Sequence, residues 1–358
     1  VACLLVVMVH VSSVTYNDVT GFSSDLNLIL NQISRLGTPI FAVISAFLLI
    51  SSVQHKGFNI RKFSTSRLIK IVIPFLLWTI IYLIYQRLSD ETITLSLKSM
   101  LGYFILGSGF YHLYFMATII QFYFIFPLLQ MLRNRIQVLA LFVVSLPRNI
   151  FWLVNNGIKI NIEAVDVILE HRSFLLGWIT YFMFGALLAY YYNEIKLFVN
   201  KRKHIWIGVL CCILIFNYIE ISPDHLFNSS RPENLLYIPL LVISLFSITD
   251  FISKRMHILN TTNLIGEYSF GIYLVHPLII IGLSKILPHH LWNSFLVFIP
   301  FVLTVILSIL LIKVISLIPY SSLIIPLRDK DNKSLATIFN KKDGFLLHLS
   351  NKDRRLIK

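Results

Sequence analysis

Long, almost uninterrupted apolar runs dominate the chain. A helix that crosses the hydrocarbon core of a bilayer needs about 20 such residues. Runs near that length recur over 1–14, 33–53, 71–86, 110–131, 136–154, 174–193, 204–220, 234–251, 264–284 and 292–319. The pattern predicts an all-α integral membrane protein with about ten transmembrane helices. The first run is short and apolar from Val1 onward (VACLLVVMV), which is expected of a helix lacking its first turns. No basic leader or small-residue cleavage site marks it as a signal peptide. A transmembrane domain over 1–320 and a polar, basic tail over 321–358 are the two expected parts.

Composition excludes an ordinary soluble enzyme. Of 358 residues, 56% are hydrophobic and only 13% charged, against about 25% charged in a globular domain. The formal charge of +14 comes from 31 Lys and Arg against 17 Asp and Glu. These charges are too scattered for a nucleic-acid-binding domain, and their placement reads as topology instead. Short loops rich in Lys and Arg stay in the cytoplasm. Alternate loops hold Lys56, Arg61, Lys62, Arg67 and Lys70; Arg133 and Arg135; Lys196, Lys201, Arg202 and Lys203; and Lys254 and Arg255. With the tail from Arg328, that side carries 22 of the 31 basic residues. The opposite loops hold Asp18, Asp25, Asp90, Glu91, Glu163, Asp166, Glu170, Asp224 and Glu233. Both termini are therefore predicted to be cytoplasmic in a bacterial cell membrane. Cys3, Cys211 and Cys212 lie in apolar runs without metal-ligand or disulfide spacing, so no metal is expected.

Ionisable residues at membrane depth are costly and mark candidate sites. His10 near the outer end of the first run, His276 two-thirds of the way outward along the ninth and His112 at the outer start of the fourth share one predicted depth. Histidine can take a proton from a hydroxyl near neutral pH. Arg148 follows Pro147, which is expected to bend or break the fifth run, and could bind an anion or snorkel to the interface. Arg35 and Arg172 enter their runs from outside and read more simply as interfacial anchors. The aromatic cluster around Tyr111 and Tyr114 is an interfacial belt or a sugar-stacking surface. On the basic side, Arg61, Lys62, Arg67 and Lys70 would attract a multiply phosphorylated ligand, although the topology rule alone also accounts for them. No Walker, Rossmann, serine-hydrolase or zinc pattern occurs, and no paired acids serve a glycosyltransferase.

Several segments, in order, resemble the bacterial acyltransferase-3 family of multispan membrane proteins. ACLLVVMVH ends at His10, as the family's first span ends in His; the family's Arg partner would fall two residues before Val1. RLGTPIFAVISAFLLISS is similar to the signature FFVLSGFLI, with Ser45 retained and Ala46 in place of glycine. SRLIKIVIPFLLW, YHLYFMATIIQFY, GWITYFMFGALLAYYY and EYSFGIYLVHP continue the series, the last with Glu267, Ser269, Gly271, Tyr273 and His276 in place. Spacing around GTPIFAVIS and GWITYFMFGA is most similar to the branch with the intercellular-adhesion polysaccharide O-succinyltransferase or export protein. The resemblance implies transfer of an acetyl or succinyl group from cytoplasmic acyl-CoA, as co-substrate, to a hydroxyl of a surface polysaccharide or lipid-linked glycan. It implies catalytic roles for His10, His276 and His112, acceptor contacts from Tyr111, Tyr114, Arg148, Ser45 and Tyr273, and coenzyme contacts from Arg61, Lys62, Arg67 and Lys70. Membrane lipid and the glycan are the expected partners. Polysaccharide export without acyl transfer is the alternative.

Overall fold

Runs of Leu, Ile, Val and Phe with few polar breaks propagate as helix, and each of the ten apolar stretches is largely helical. The computed structural model describes residues 1–16, 21–89, 93–132, 134–155, 157–223 and 226–326, with backbone alone for Ala164 and Asp250. The order is α1 (Ala2–Ser12), α2 (Asp25–Ser34), α3 (Gly37–Lys56), α4 (Ile60–Arg67), a π-helical turn over Leu68–Val72, α5 (Ile73–Leu88) and α6 (Leu97–Leu101). Next come α7 (Tyr114–Leu129), α8 (Arg135–Val154), α9 (Glu163–Leu169), α10 (Ile179–Tyr190), α11 (Tyr192–Lys201) and α12 (Lys203–Ile219). The chain continues through α13 (Asn234–Leu245), α14 (Thr249–Ser253), α15 (Met256–Ile286), α16 (Phe298–Ile315) and α17 (Ser321–Ile324).

Five helical segments are long and apolar enough to cross a membrane, and a sixth arises if α11 and α12, bent by 97°, count as one. The remaining stretches give shorter helices, α1, α7, α10 and α13 among them. Of these, α10 is enclosed by protein. In α10 all but three of the residues from Ile179 to Tyr190 are buried within the protein. A helix shielded from lipid can give way to irregular backbone at membrane depth, because protein rather than hydrocarbon surrounds it.

Three local departures from the sequence pattern position the site. The apolar run at 110 does not begin as helix: Gly107 adopts φ +70, and a Cβ there would lie 2.5 Å from the Leu113 carbonyl oxygen. That turn holds residues 107–113 as a loop carrying Tyr111 and His112, and α7 starts only at Tyr114. The polar segment read as an outer loop contains α2, capped by the Ser24 side chain. Its Asn27, Asn31 and Gln32 are buried; Asn27 Nδ2 donates to the Trp292 carbonyl (2.8 Å) and Asn31 Nδ2 to the Val9 carbonyl (2.8 Å). The helix α8, finally, runs unbroken through Pro147.

Close packing of α3 on α10 forms the centre. A Cβ on Gly185 would sit 2.2 Å from the Val43 carbonyl oxygen and 3.0 Å from Ala46 Cβ. Gly185 thus supplies the close approach that the family signature places at position 46. Small residues let membrane helices meet in this way. Gly185→Ala is expected to destabilise the protein by about 1–3 kcal/mol, read as a lowered unfolding temperature in detergent. Beyond 320 the chain still packs on the helices: Trp78 Nε1 donates to the Ile324 carbonyl (3.0 Å) and Ile325 is buried. The expected tail from 327 to 358, with the basic residues it carries, lies outside the described residues, as do Asp18, Asp90, Glu91, Arg133 and Asp224.

Candidate active site

The site begins with a proline. In α15, Pro277 has no N–H, so the Tyr273 carbonyl four residues back loses its helical donor. His276 fills the gap: its Nδ1 lies 2.9 Å from the Tyr273 oxygen and 3.0 Å from the Ile272 oxygen. Carbonyl oxygens only accept, so Nδ1 carries the proton and, in the neutral ring, Nε2 keeps its lone pair. That Nε2 is buried without a hydrogen-bond partner. Two further hydrogen bonds lock the surroundings. Tyr82 Oη donates to the Leu274 carbonyl (2.6 Å), and Tyr273 Oη donates to the His112 carbonyl.

The three predicted histidines meet around that ring. His10, on the last turn of α1, stacks on His276 with ring centroids 5.3 Å apart, and His112 packs edge-on against it at 5.4 Å. Tyr111 covers the other side of His10 at 4.4 Å. Both ring nitrogens of His112 are buried without partners. No three His, Cys, Asp or Glu side chains among the described residues are grouped so that they could hold a metal ion. His276 Nε2 keeps a lone pair within the cluster, so proton acceptance is among the chemistry open to it.

A cavity of about 500 Å³ opens on the cluster, lined by His10, His112, Tyr111, Tyr114 and Tyr273 with Asn31, Thr38, Arg35 and Arg172. His276 lies behind this wall. A second cavity of about 740 Å³ shares Arg35, Tyr114, Arg172 and Ser229 with the first, and continues past Trp152, Trp178, Phe174 and Phe227. His171 borders it; burial, with Arg172 adding to the effect, holds its imidazole below the ordinary value. Its Nδ1 pairs with Ser173 Oγ at 2.7 Å.

Two predicted acceptor residues fall elsewhere. Ser45, half-buried on α3, and Arg148 on α8 line neither cavity; the Arg148 guanidinium lies over the Trp152 ring at 5.9 Å. Conversely, Arg35 and Arg172, read from sequence as anchors, stand in the wall of both cavities. Asn31 and Ser229 carried no sequence signal beyond polarity.

The four basic residues proposed for a coenzyme lie past the far end of α3, a helix of 20 residues and so about 30 Å long. Arg61 and Lys62 are exposed on α4. Arg67 stacks over Phe63 (5.6 Å) and Tyr123 (5.3 Å), with its Nε buried and lacking a hydrogen-bond partner. Lys70 sits in the π-helical turn.

Comparisons with known proteins agree with this architecture. A family model described as an acyltransferase domain matches residues 1–314. The chain is 26% identical over 293 residues to a probable poly-beta-1,6-N-acetyl-D-glucosamine export protein of Staphylococcus aureus (strain MRSA252), covering 78% of this chain and 80% of the relative. It is likewise 26% identical over 288 residues to the protein of that name from Staphylococcus epidermidis, with 78% of each covered. No solved structure matches. With a model that spans nearly all of the described helices, and with relatives from the branch its motifs resemble, the chain belongs to the acyltransferase-3 family of multispan membrane proteins.

Proposed function

We propose that the protein is a membrane O-acyltransferase that moves an acyl group, acetyl or succinyl, from cytoplasmic acyl-CoA to a hydroxyl of a surface polysaccharide or lipid-linked glycan. The observation that carries this reading is the cluster of three histidines at a cavity, His10 and His112 in its wall and His276 behind them, with basic residues at the other end of α3. A ring nitrogen of His10 takes the proton of the acceptor hydroxyl; the oxygen attacks the thioester carbonyl, the C–S bond breaks, and the proton passes to the departing thiolate. His112, in the cavity wall beside His10, would donate a ring N–H to the tetrahedral oxyanion. Tyr273 Oη is already spent on the His112 carbonyl, so Tyr273 holds the loop and lines the cavity. His276 orients His10 from behind.

The sidedness supports ten crossings of the bacterial cytoplasmic membrane with both termini inside. The ends of α1 and α15 and the starts of α3 and α7 all reach the histidine cavity, while the basic segments lie where α3 ends and α4, α8 and α12 begin. Donor and acceptor then approach from opposite faces. A coenzyme's phosphates would meet Arg61, Lys62, Arg67 and Lys70, and the buried, unpartnered Arg67 Nε fits such an anion. Replacing Arg67 and Lys70 together with Ala is expected to raise KM for acyl-CoA about 10–100-fold, the worth of one or two charged hydrogen bonds, with little change in acceptor preference. An unaltered donor KM would remove these residues from the reaction.

Export without acyl transfer is the second reading, favoured by the relatives' names. Membranes given labelled acyl-CoA separate the two: label on surface glycan that disappears with His10→Ala supports transfer. Equal labelling with and without the protein, together with lost surface polymer in its absence, supports export.

A further inference from the structure

The wall between the two cavities carries two positive charges with no acidic partner among the described residues. Arg35 and Arg172 line both cavities, and neither forms an ion pair among the described residues. Other charges nearby are matched. Arg231 Nη1 meets Glu220 Oε2 at 2.8 Å, and Lys159 meets Glu170 at 3.3 Å. Among the described residues, Glu233 is the remaining carboxylate along the second cavity, and none lines the first.

Both guanidiniums are held one link away from His10. Arg35 Nε donates to Asn31 Oδ1 (3.1 Å), and Asn31 Nδ2 donates to the carbonyl of Val9, the residue before His10 (2.8 Å). Arg172 Nη2 donates to the Tyr111 carbonyl (3.2 Å), and the Tyr111 ring lies 4.4 Å from that of His10. The Arg172 guanidinium also rests on the Tyr114 face at 4.4 Å. Each arginine thus spends one of five N–H donors on its support. A neutral sugar or an acetyl group does not need two such charges, whereas an oxyanion pairs with them by charge-assisted, forked hydrogen bonds.

We propose that Arg35 and Arg172 form an anion subsite at the junction of the two cavities, holding a carboxylate or phosphate group of the ligand beside His10. The group has two chemical sources: a carboxylate at the far end of the transferred acyl group, or a phosphate joining a glycan to its lipid carrier. The inference adds a ligand charge to the transferase reading, and its test needs no acyl donor, so each can fail without the other.

The full chain in neutral detergent is titrated with sodium succinate, inorganic phosphate and uncharged dimethyl succinate, at ionic strength matched with sodium chloride. Tryptophan fluorescence is the readout, because Trp152 and Trp178 line the second cavity and Trp178 Nε1 donates to the Arg172 carbonyl (2.8 Å). A saturable response to succinate, phosphate or both is expected, with none to dimethyl succinate; the tighter ion identifies the source. Arg35→Gln and Arg172→Gln should each weaken binding about tenfold or more, and Arg148→Gln should leave it unchanged. Arg172 is exposed, so its variant carries the test if gel filtration shows Arg35→Gln misfolded. Absence of a saturable response to either ion, or a response that survives the Gln substitutions in folded protein, overturns the subsite.

Discussion

Replacement of His10 by Ala is expected to lower acyl transfer about 10²–10⁴-fold, the range for loss of a positioned general base. Folding and membrane insertion should survive. The rest of α1 is anchored independently, since Val7 and Val11 are fully buried and the Val9 carbonyl accepts from Asn31 Nδ2 on α2 (2.8 Å). His10 itself is half-buried, in the cavity wall, and its ring contacts are to Tyr111 and His276. His10→Gln is the sharper variant. It restores much of the volume and a hydrogen-bonding group while removing the titratable nitrogen, so it should be nearly as inactive as Ala. Membranes supplied with labelled acyl-CoA give the readout as label on glycan. Unchanged acyl content in either variant would rule His10 out as the base.

Depth was legible in the sequence, while the direction a side chain takes around its helix was not. His10, His112 and His276 stand out because apolar runs place them at one level, and the structure gathers them. Ser45 and Arg148 line neither cavity, and depth along an apolar helix does not show which face turns towards a site. Arg35 and Arg172 lie at an interface where snorkelling and ligand binding leave the same sequence trace; only the walls around them separate the two. Asn31 was invisible for a different reason. A polar segment between two apolar runs reads as a solvated loop, yet α2 turns Asn27 and Asn31 inward to the Trp292 and Val9 carbonyls and Gln32 inward to the Phe227 N–H. Residues 110–113 read as the start of a helix because their side chains are largely aromatic; the Gly107 backbone, not the hydrophobic pattern, makes them a loop.

The fixed tautomer of His276 leads to the second large effect. Asn at 276 places an amide N–H about where Nδ1 lies, so it still serves the Ile272 and Tyr273 carbonyls, but it has nothing at the position of Nε2. His276→Asn is therefore expected to fold like the parent and to transfer acyl groups about 10²-fold more slowly, with donor KM unchanged. His276→Gln, whose longer side chain reaches the Nε2 position, should keep more of the rate. Because His276 lies behind the cavity wall, the loss belongs in kcat: the ring positions His10 and does not hold substrate. Pro277→Ala tests the same lock from the backbone. It restores an N–H at 277 that competes with His276 Nδ1 for the Tyr273 carbonyl, and it replaces proline by a good helix former. The expected result is a helix at least as stable and a rate several-fold lower, although Pro277 lines neither cavity. Equal rates for parent, His276→Asn and Pro277→Ala would show that the orientation of this imidazole plays no part in the reaction.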